Sequence, residues 1–297
     1  MSADPPTSPV GGAAPEPALP AYRTSRRPLG PSLVVGAVLV ALVVLMALVS
    51  FVWTPWDPTF VNAPDRLQGF SSNHWLGTDK FGRDVFSQVL MGSRTTLFVG
   101  VVAVGIAALI GVPLGIVAAM VPRWAGETVM RGNDLLLAFP ALLLAIMFSA
   151  IYGGSTLVAM VAIGIATVPS FARLVRSGAL QVMRTEYVLA ARSAGRRPLA
   201  IGLRHVLPNV AGLVIVQASV SFAIAVLAEA ALSFLGLGTP PPTPSWGRML
   251  QEGQELLFSA PRLAVVPGIA IALAVLGFNL LGDGLRDFLD PRLEDRQ

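Results

Sequence analysis

Apolar residues run through this chain in long blocks, at about residues 32–53, 97–121, 135–152, 155–172, 210–235 and 263–282. A helix rises ~1.5 Å per residue, so some 20 apolar residues cross a ~30 Å hydrocarbon core. Each block therefore predicts a membrane-spanning helix, and together they predict an all-α integral membrane protein with six spans. The first block carries no charge over about 22 residues and lies far from the start of the chain. A cleaved signal peptide has a shorter core nearer the N-terminus, followed by a small-residue cleavage site, so this block is expected to be a permanent span. Residues 1–31 hold eight prolines and three glycines with little apolar content. Such a stretch cannot bury enough surface to fold alone and is expected to be disordered.

Between the blocks, two loops are long enough to carry their own structure, at about residues 54–93 and 173–209. The connection "YGGS" between the third and fourth blocks is tight, so those helices are expected to pack as an antiparallel pair. Gly105, Gly111, Gly115, Gly164 and Ala166 offer the small surfaces through which membrane helices approach closely. Pro113, Pro140 and Pro169 are candidate kinks. No repeat of 20 to 50 residues is visible.

Composition agrees with the pattern and removes alternatives. Hydrophobic residues make up 54% of the 297 and charged ones 13%, and mean hydropathy is +0.69. With no cysteine there can be no disulfide, thiolate metal site or cysteine nucleophile. The net charge of +4 comes from arginine, since Lys80 is the sole lysine. A basic excess in a membrane protein concerns orientation first, and the interleaved aromatic and basic residues of a nucleic-acid binder are missing. With both termini cytoplasmic, 15 basic residues fall inside and six outside, the six being Arg66, Lys80, Arg83, Arg94, Arg248 and Arg262. The positive-inside rule then predicts that residues 173–209 lie in the cytoplasm.

Within that loop, "EYVLAARSAGRRPLAIGLRHVLPN" (186–209) has four arginines, a histidine and one acid. Tyr187, Ala190, Ala191 and Ala194 recur three or four apart, a small-residue face with Arg192 pointing elsewhere. Gly195 interrupts the pattern, and Leu199, Leu203 and Val206 continue it on one side, so helix, glycine break, helix is expected. Two readings stand: a solvated basic loop held near anionic lipid, or a docking element whose small face enters a partner's groove.

The segment resembles the cytoplasmic signature of the permeases of ATP-binding-cassette (ABC) importers, E-A-A-x3-G-x9-I-x-L-P. Ala190, Ala191, Gly195, Leu207 and Pro208 stand at its positions, with Leu189 at the glutamate and His205 at the isoleucine. Glu186, one turn earlier, is the only acid nearby. Both departures are similar to the dipeptide, oligopeptide and nickel branch, as are "HWLGTDKFGRDVFSQVLMGSR" (74–94), "EAALSFLGLGTPPPTPSWGRML" (229–250) and "GDGLRDFLDPRL" (282–293). These motifs resemble the C-type member of the two permease subunits.

The resemblance implies the type I importer permease fold. Its implied division is a tail at 1–31, a first span with an external loop at 32–93, a five-helix core at 94–284 with the coupling segment at 186–206, and a cytoplasmic tail at 285–297. It implies a multi-pass chain of the bacterial cytoplasmic membrane, working with a homologous second permease, two ABC ATPase domains and an extracytoplasmic substrate-binding protein. ATP and Mg would bind the ATPases, leaving this chain without a cofactor. The residues implied to contact the ATPase are Tyr187, Ala190, Ala191, Arg192, Gly195, Arg196, Arg197 and His205. Di- or oligopeptides are the implied substrates, with nickel or another small solute as the alternative, and an ion-driven transporter working alone as a different class.

Other residues carry separate expectations. Glu229 lies about six residues inside the outer end of the fifth block, where a carboxylate must be paired or face water. It is read either as a structural bond, to nearby backbone or to Arg94, or as part of the translocation pathway with Gln217, Asn279 and Asp283. In "GTDKFGRD" (77–84), Asp79, Arg83 and Asp84 form a charge-paired turn expected to cap the second span and to meet the binding protein, and the spacing lacks the ligand pattern of a calcium loop. The prolines of "GTPPPTPSW" predict a rigid external loop with Trp246 anchored at the interface. Hydrolysis by this chain is not expected: His74 and His205 fall on opposite sides, away from any buried serine dyad. The sole lysine also follows Asp79 rather than the glycine of a phosphate-binding loop.

Overall fold

The computed structural model describes residues 30–289, and the termini at 1–29 and 290–297 lie outside it. The described chain is helical, in the order α1 (Pro31–Val52), α2 (Val85–Met120), α3 (Arg123–Leu137), α4 (Ala141–Tyr152), α5 (Thr156–Val182), α6 (Glu186–Ser193), α7 (Pro198–Ile201), α8 (Leu207–Phe234), α9 (Trp246–Gln254) and α10 (Arg262–Leu289). Five of these helices are long and apolar enough to cross a membrane: α1, α2, α5, the run through α7 and α8, and α10.

The sixth crossing differs from the expected single helix at 135–152. Helices α3 and α4 meet at a 75° bend around Pro140, one of the three candidate kinks, and only together are they long and apolar enough for one crossing. Proline has no amide proton for the preceding turn, and its ring disfavours helix at the residue before it. At ~1.5 Å per residue, the 12 residues of α4 reach only ~18 Å. Pro113 and Pro169, by contrast, sit inside α2 and α5, which continue through them.

Two further boundaries moved. Helix α2 has 36 residues and starts at Val85, twelve residues before the apolar block, because Asp84 caps it by accepting from the Ser87 amide at 2.7 Å. Helix α10 runs to Leu289, so residues 285–289 of the expected tail are helical. The proline-rich segment before Trp246 leads into α9, capped by Ser245, whose Oγ accepts from the Arg248 amide at 3.2 Å.

Small residues bring the helices together at Gly111, Gly115 and Gly164, whereas Gly105 faces open space. A Cβ on Gly111 or Gly115 of α2 would collide with α5 backbone at Val168 or Ala172, and one on Gly164 of α5 would press on Ala103 and Ile106. Helices α1 and α10 cross as closely, at Gly36 against Leu281 and Gly284 against Leu33. This backbone proximity supplies the dispersion contact that lipid cannot replace. The opposite ends of the bundle differ in character. The segments at 53–84 and 235–261 form a cap at one end, which holds Arg66, Lys80, Arg83 and Arg248, with Arg94 and Arg262 in the adjoining N-terminal turns of α2 and α10. The other end carries α6 and α7, and is called here the arginine end.

Candidate functional site

The α6–α7 element is built in two arms around Gly195. Helix α6 ends in a Schellman turn: the Gly195 amide donates to Arg192 O at 2.9 Å and the Arg196 amide to Ala191 O at 3.1 Å. That turn needs a residue in the left-handed region, and Gly195 has φ +73°. Pro198 then starts α7 at its first turn, where a missing amide proton costs nothing. One wide π turn, Gly202–Val206, joins α7 to α8. Helix, glycine break, helix is therefore the observed course.

Val188, Ile201 and Val206 anchor both arms in a core with Val175, Ala179, Met183 and Val210. The sequence reading missed Val188, although a β-branched residue within a run of alanines was a usable signal. It also grouped Leu199 and Leu203 with Val206. The structure separates them: the two leucines are 74% and 55% exposed while Val206 is fully buried. Tyr187 and Leu189 are also exposed. The Tyr187 and His205 rings lie 6.0 Å apart and link the two arms. Ala190, Arg192, Gly195, Arg196 and Arg197 are exposed and Ala191 half-buried, while Arg192 reaches back to within 3.9 Å of the Met183 sulfur. The outcome is an anchored hairpin of helices with an apolar tip edged by arginines. Leu189, in place of an acid, is part of that tip.

Such a surface suits a complementary groove better than open water, since exposed apolar side chains in a row mark interaction sites. The chain is similar over residues 111–295 to the family described as the binding-protein-dependent transport system inner membrane component. It is 43% identical to the dipeptide transport system permease protein DppC of Alkalihalophilus pseudofirmus, over 261 residues that cover 88% of this chain and 86% of that one. It is also 43% identical to the glutathione transport system permease protein GsiD of Pectobacterium atrosepticum, over 263 residues covering 87% of each.

The chain belongs to the binding-protein-dependent transport family.

It is accordingly a multi-pass inner-membrane permease subunit of an ABC transporter. ATPase and substrate-binding partners are general to such systems, and ATP hydrolysis belongs to a separate chain. Its fold matches that of the inward-facing MetNI methionine ABC transporter, with a TM-score of 0.57 at 18% identity over 68% of this chain and 97% of that one.

The permease's cap is held by charges that point inward. Asp79 Oδ1 accepts from the Phe81 and Arg83 amides at 2.8 and 3.0 Å, and its Oδ2 from Arg83 Nε at 2.6 Å and Gln88 Nε2 at 3.0 Å. Arg83 also reaches Glu252 of α9, and Glu252 accepts from Arg248 Nε at 3.0 Å. Asp84 pairs with His74 Nδ1 at 3.0 Å besides capping α2. Asp79, Arg83 and Asp84 are all buried, so these side chains brace the cap from within and present no surface to a docking protein. The same correction applies to Trp246. It is 1% exposed and donates from Nε1 to Val89 O at 3.0 Å, far from an interface anchor. An amphipathic tryptophan was read as wet because its context is proline-rich; its own spacing to Met249 and Gly253 marks a packed helix face.

The polar residues expected along the pathway are not brought together. Glu229 is 1% exposed, with Oε1 accepting from Ser233 Oγ at 2.7 Å and Thr239 Oγ1 at 3.4 Å. It ties α8 to the start of the cap segment and lines no open path. Arg94 is not its partner, since that guanidinium donates to Ser50 Oγ and stacks on Phe51 at 4.0 Å. Gln217 Nε2 donates to Ser221 Oγ at 3.1 Å, some 18 Å along α8 from Glu229. Asn279 is half-buried on α10 and Asp283 is exposed. Glu229→Gln retains the accepting oxygen and is expected to give wild-type yield and transport. Glu229→Ala, which leaves the Ser233 and Thr239 hydroxyls without it, is expected to cost about 1–3 kcal/mol of stability. Yield of monodisperse complex and solute uptake check both; lost transport in a well-assembled Glu229→Gln complex would restore a pathway role.

Proposed function

We propose that this chain forms half of the translocation path of an ATP-driven importer of short peptides, with both termini in the cytoplasm and residues 94–284 as its transporting core. The observation that carries this reading is the exposed, apolar-tipped hairpin of α6 and α7, rigidly rooted in the bundle by Val188, Ile201 and Val206. A homologous permease supplies the other half, and two ATPase domains binding ATP and Mg dock on the hairpins. Tyr187, Ala190, Ala191, Arg192, Gly195, Arg196, Arg197 and His205 form the contact. A binding protein delivers substrate at the cap end. Relatives named for dipeptide and glutathione transport support peptides as the substrate class.

In this mechanism nucleotide drives the switch only through contacts that differ between the two states of the permease. The hairpin supplies them, because a rigid root transmits the displacement of its tip to α5 and α8. Proteoliposomes with all subunits are expected to take up a labelled dipeptide only when ATP is present on the ATPase side and binding protein on the other. Uptake without any ATPase chain would sink the reading. Orientation has its own test, since the natural chain lacks cysteine. In Arg184→Cys, exposed in the same loop but outside the proposed ATPase contact, an impermeant maleimide is expected to label inside-out vesicles several-fold more than right-side-out ones.

A further inference from the structure

Arg94 stands near the membrane with no acid beside it. Among the described residues its contacts are Ser50 Oγ and the Phe51 ring, and no carboxylate pairs with it. It lies at the head of a groove of about 560 Å³ between α1 and α2. The groove's polar residues, Arg94, Thr95, Thr156 and Thr243, all come from the cap end, and the Thr95 and Thr156 hydroxyls are bonded to Pro244 O and Thr239 Oγ1, which leaves the guanidinium as its charged group. Further from the cap the walls are apolar, with Leu48 and Val101 58% and 62% exposed.

The depth of Arg94 follows from both helices. On α2 the apolar run begins at Leu97, and Leu97–Met120 spans ~36 Å, enough for the hydrocarbon core by itself. That places Arg94, one turn earlier, at the level of lipid headgroups. On α1, two residues beyond the Phe51 it touches, stands Trp53, an exposed indole of the kind that settles at the same level.

We propose that this groove binds one anionic phospholipid of the cap-side leaflet, with its phosphodiester on Arg94 and an acyl chain along α1 and α2. A cation above an apolar trough reproduces the polarity of an amphiphile. Guanidinium and phosphate also form charge-assisted hydrogen bonds that strengthen where water is scarce. A headgroup without its own cation is favoured, because no carboxylate touches Arg94 to receive an ammonium. Occupancy would brace α1 against α2 beside the cap. The inference rests on the membrane assignment and is independent of the substrate.

The test uses the intact transporter in detergent, titrated with dioleoyl phosphatidylglycerol or with dioleoylglycerol, which has the same chains and no phosphate, and read by native mass spectrometry. One phosphatidylglycerol is expected to stay on each copy of this chain and dioleoylglycerol none. Arg94→Gln is expected to weaken retention about tenfold or more, and Val101→Trp, which fills the trough and leaves the arginine, to lower it as well. Phe98→Cys puts a single thiol at the groove's exposed edge, and a benzophenone attached there is expected to crosslink to lipid. Undiminished retention in both Arg94→Gln and Val101→Trp, equal binding of dioleoylglycerol, or crosslinking mainly to another polypeptide would overturn the proposal.

Discussion

A transporter carrying Gly195→Trp is expected to insert and assemble its permease pair normally yet lose substrate uptake by about tenfold or more. The reason lies in the geometry at the tip. Gly195 has φ +73°, and beyond its own chain neighbours no atom lies within 4 Å of the position its Cβ would take. A bulky residue therefore meets no clash inside the chain, and its internal cost is the left-handed backbone, about 1–2 kcal/mol for an L-residue. That is small for a structure rooted by Val188, Ile201 and Val206. The indole instead projects from the surface offered to the ATPase, where it holds the partner off the Schellman turn. Asparagine tolerates the left-handed region, so Gly195→Asn is expected to stay within about twofold of wild type. Gly195→Ala keeps a small surface and isolates the backbone cost. Uptake in proteoliposomes, ATPase activity and co-purification of the ATPase separate these effects. Unchanged uptake in Gly195→Trp would count against the hairpin as the coupling contact.

The five long helices were legible because each is announced by a run of apolar residues, and the hairpin because glycine is the residue a Schellman turn demands. What escaped had physical reasons. Hydropathy measures what lipid covers, so it cannot see α2 extend past the membrane to Val85, where a cap at Asp84 and cap-end packing sustain it. It also averaged across Pro140: the proline marked the bend as a candidate kink, but the block of suitable length around it still read as one straight span. At the cap, charge and proline implied surface, yet Arg83 is held between Asp79 and Glu252 inside, and Asp84 pairs with His74 and Ser87. Paired charges and solvated charges look alike in sequence until the partner, here 169 residues away from Arg83, is known. Glu229 was recognisable as unusual from depth alone, but its partners Ser233 and Thr239 were not. The small-face reading of α6 placed the exposed side correctly and missed the single valine that holds the other.

Trp246→Ala is expected to be the most destabilising single change at the cap, costing about 3–5 kcal/mol. The indole is enclosed in a cluster with Val43, Val85, Val89, Val226, Ala230, Met249 and Leu263, where α1, α2, α8, α9 and α10 meet. Its ring fills the space left open by Gly92, where a Cβ would strike Cδ1, and the next residue, Gly247, packs on the Ala230 backbone. With helix backbones this close, neighbours cannot slide inward to refill the volume, so the cavity persists and the full cost is felt. Trp246→Phe keeps most of the packing and forfeits the bond to Val89 O, worth about 1 kcal/mol. The ordering wild type, Phe, Ala should appear in the thermal midpoint of the purified complex and in the fraction that stays monodisperse in detergent. An alanine variant as stable as wild type would mean the cap is not fastened at this point. Because Trp246 sits at the opposite end from Gly195, the two substitutions divide the molecule's tasks. One lowers stability strongly with coupling intact in the molecules that fold, and the other lowers it little and removes coupling. Combined, their stability effects should add within about 0.5 kcal/mol, as expected for distant sites with no shared partners.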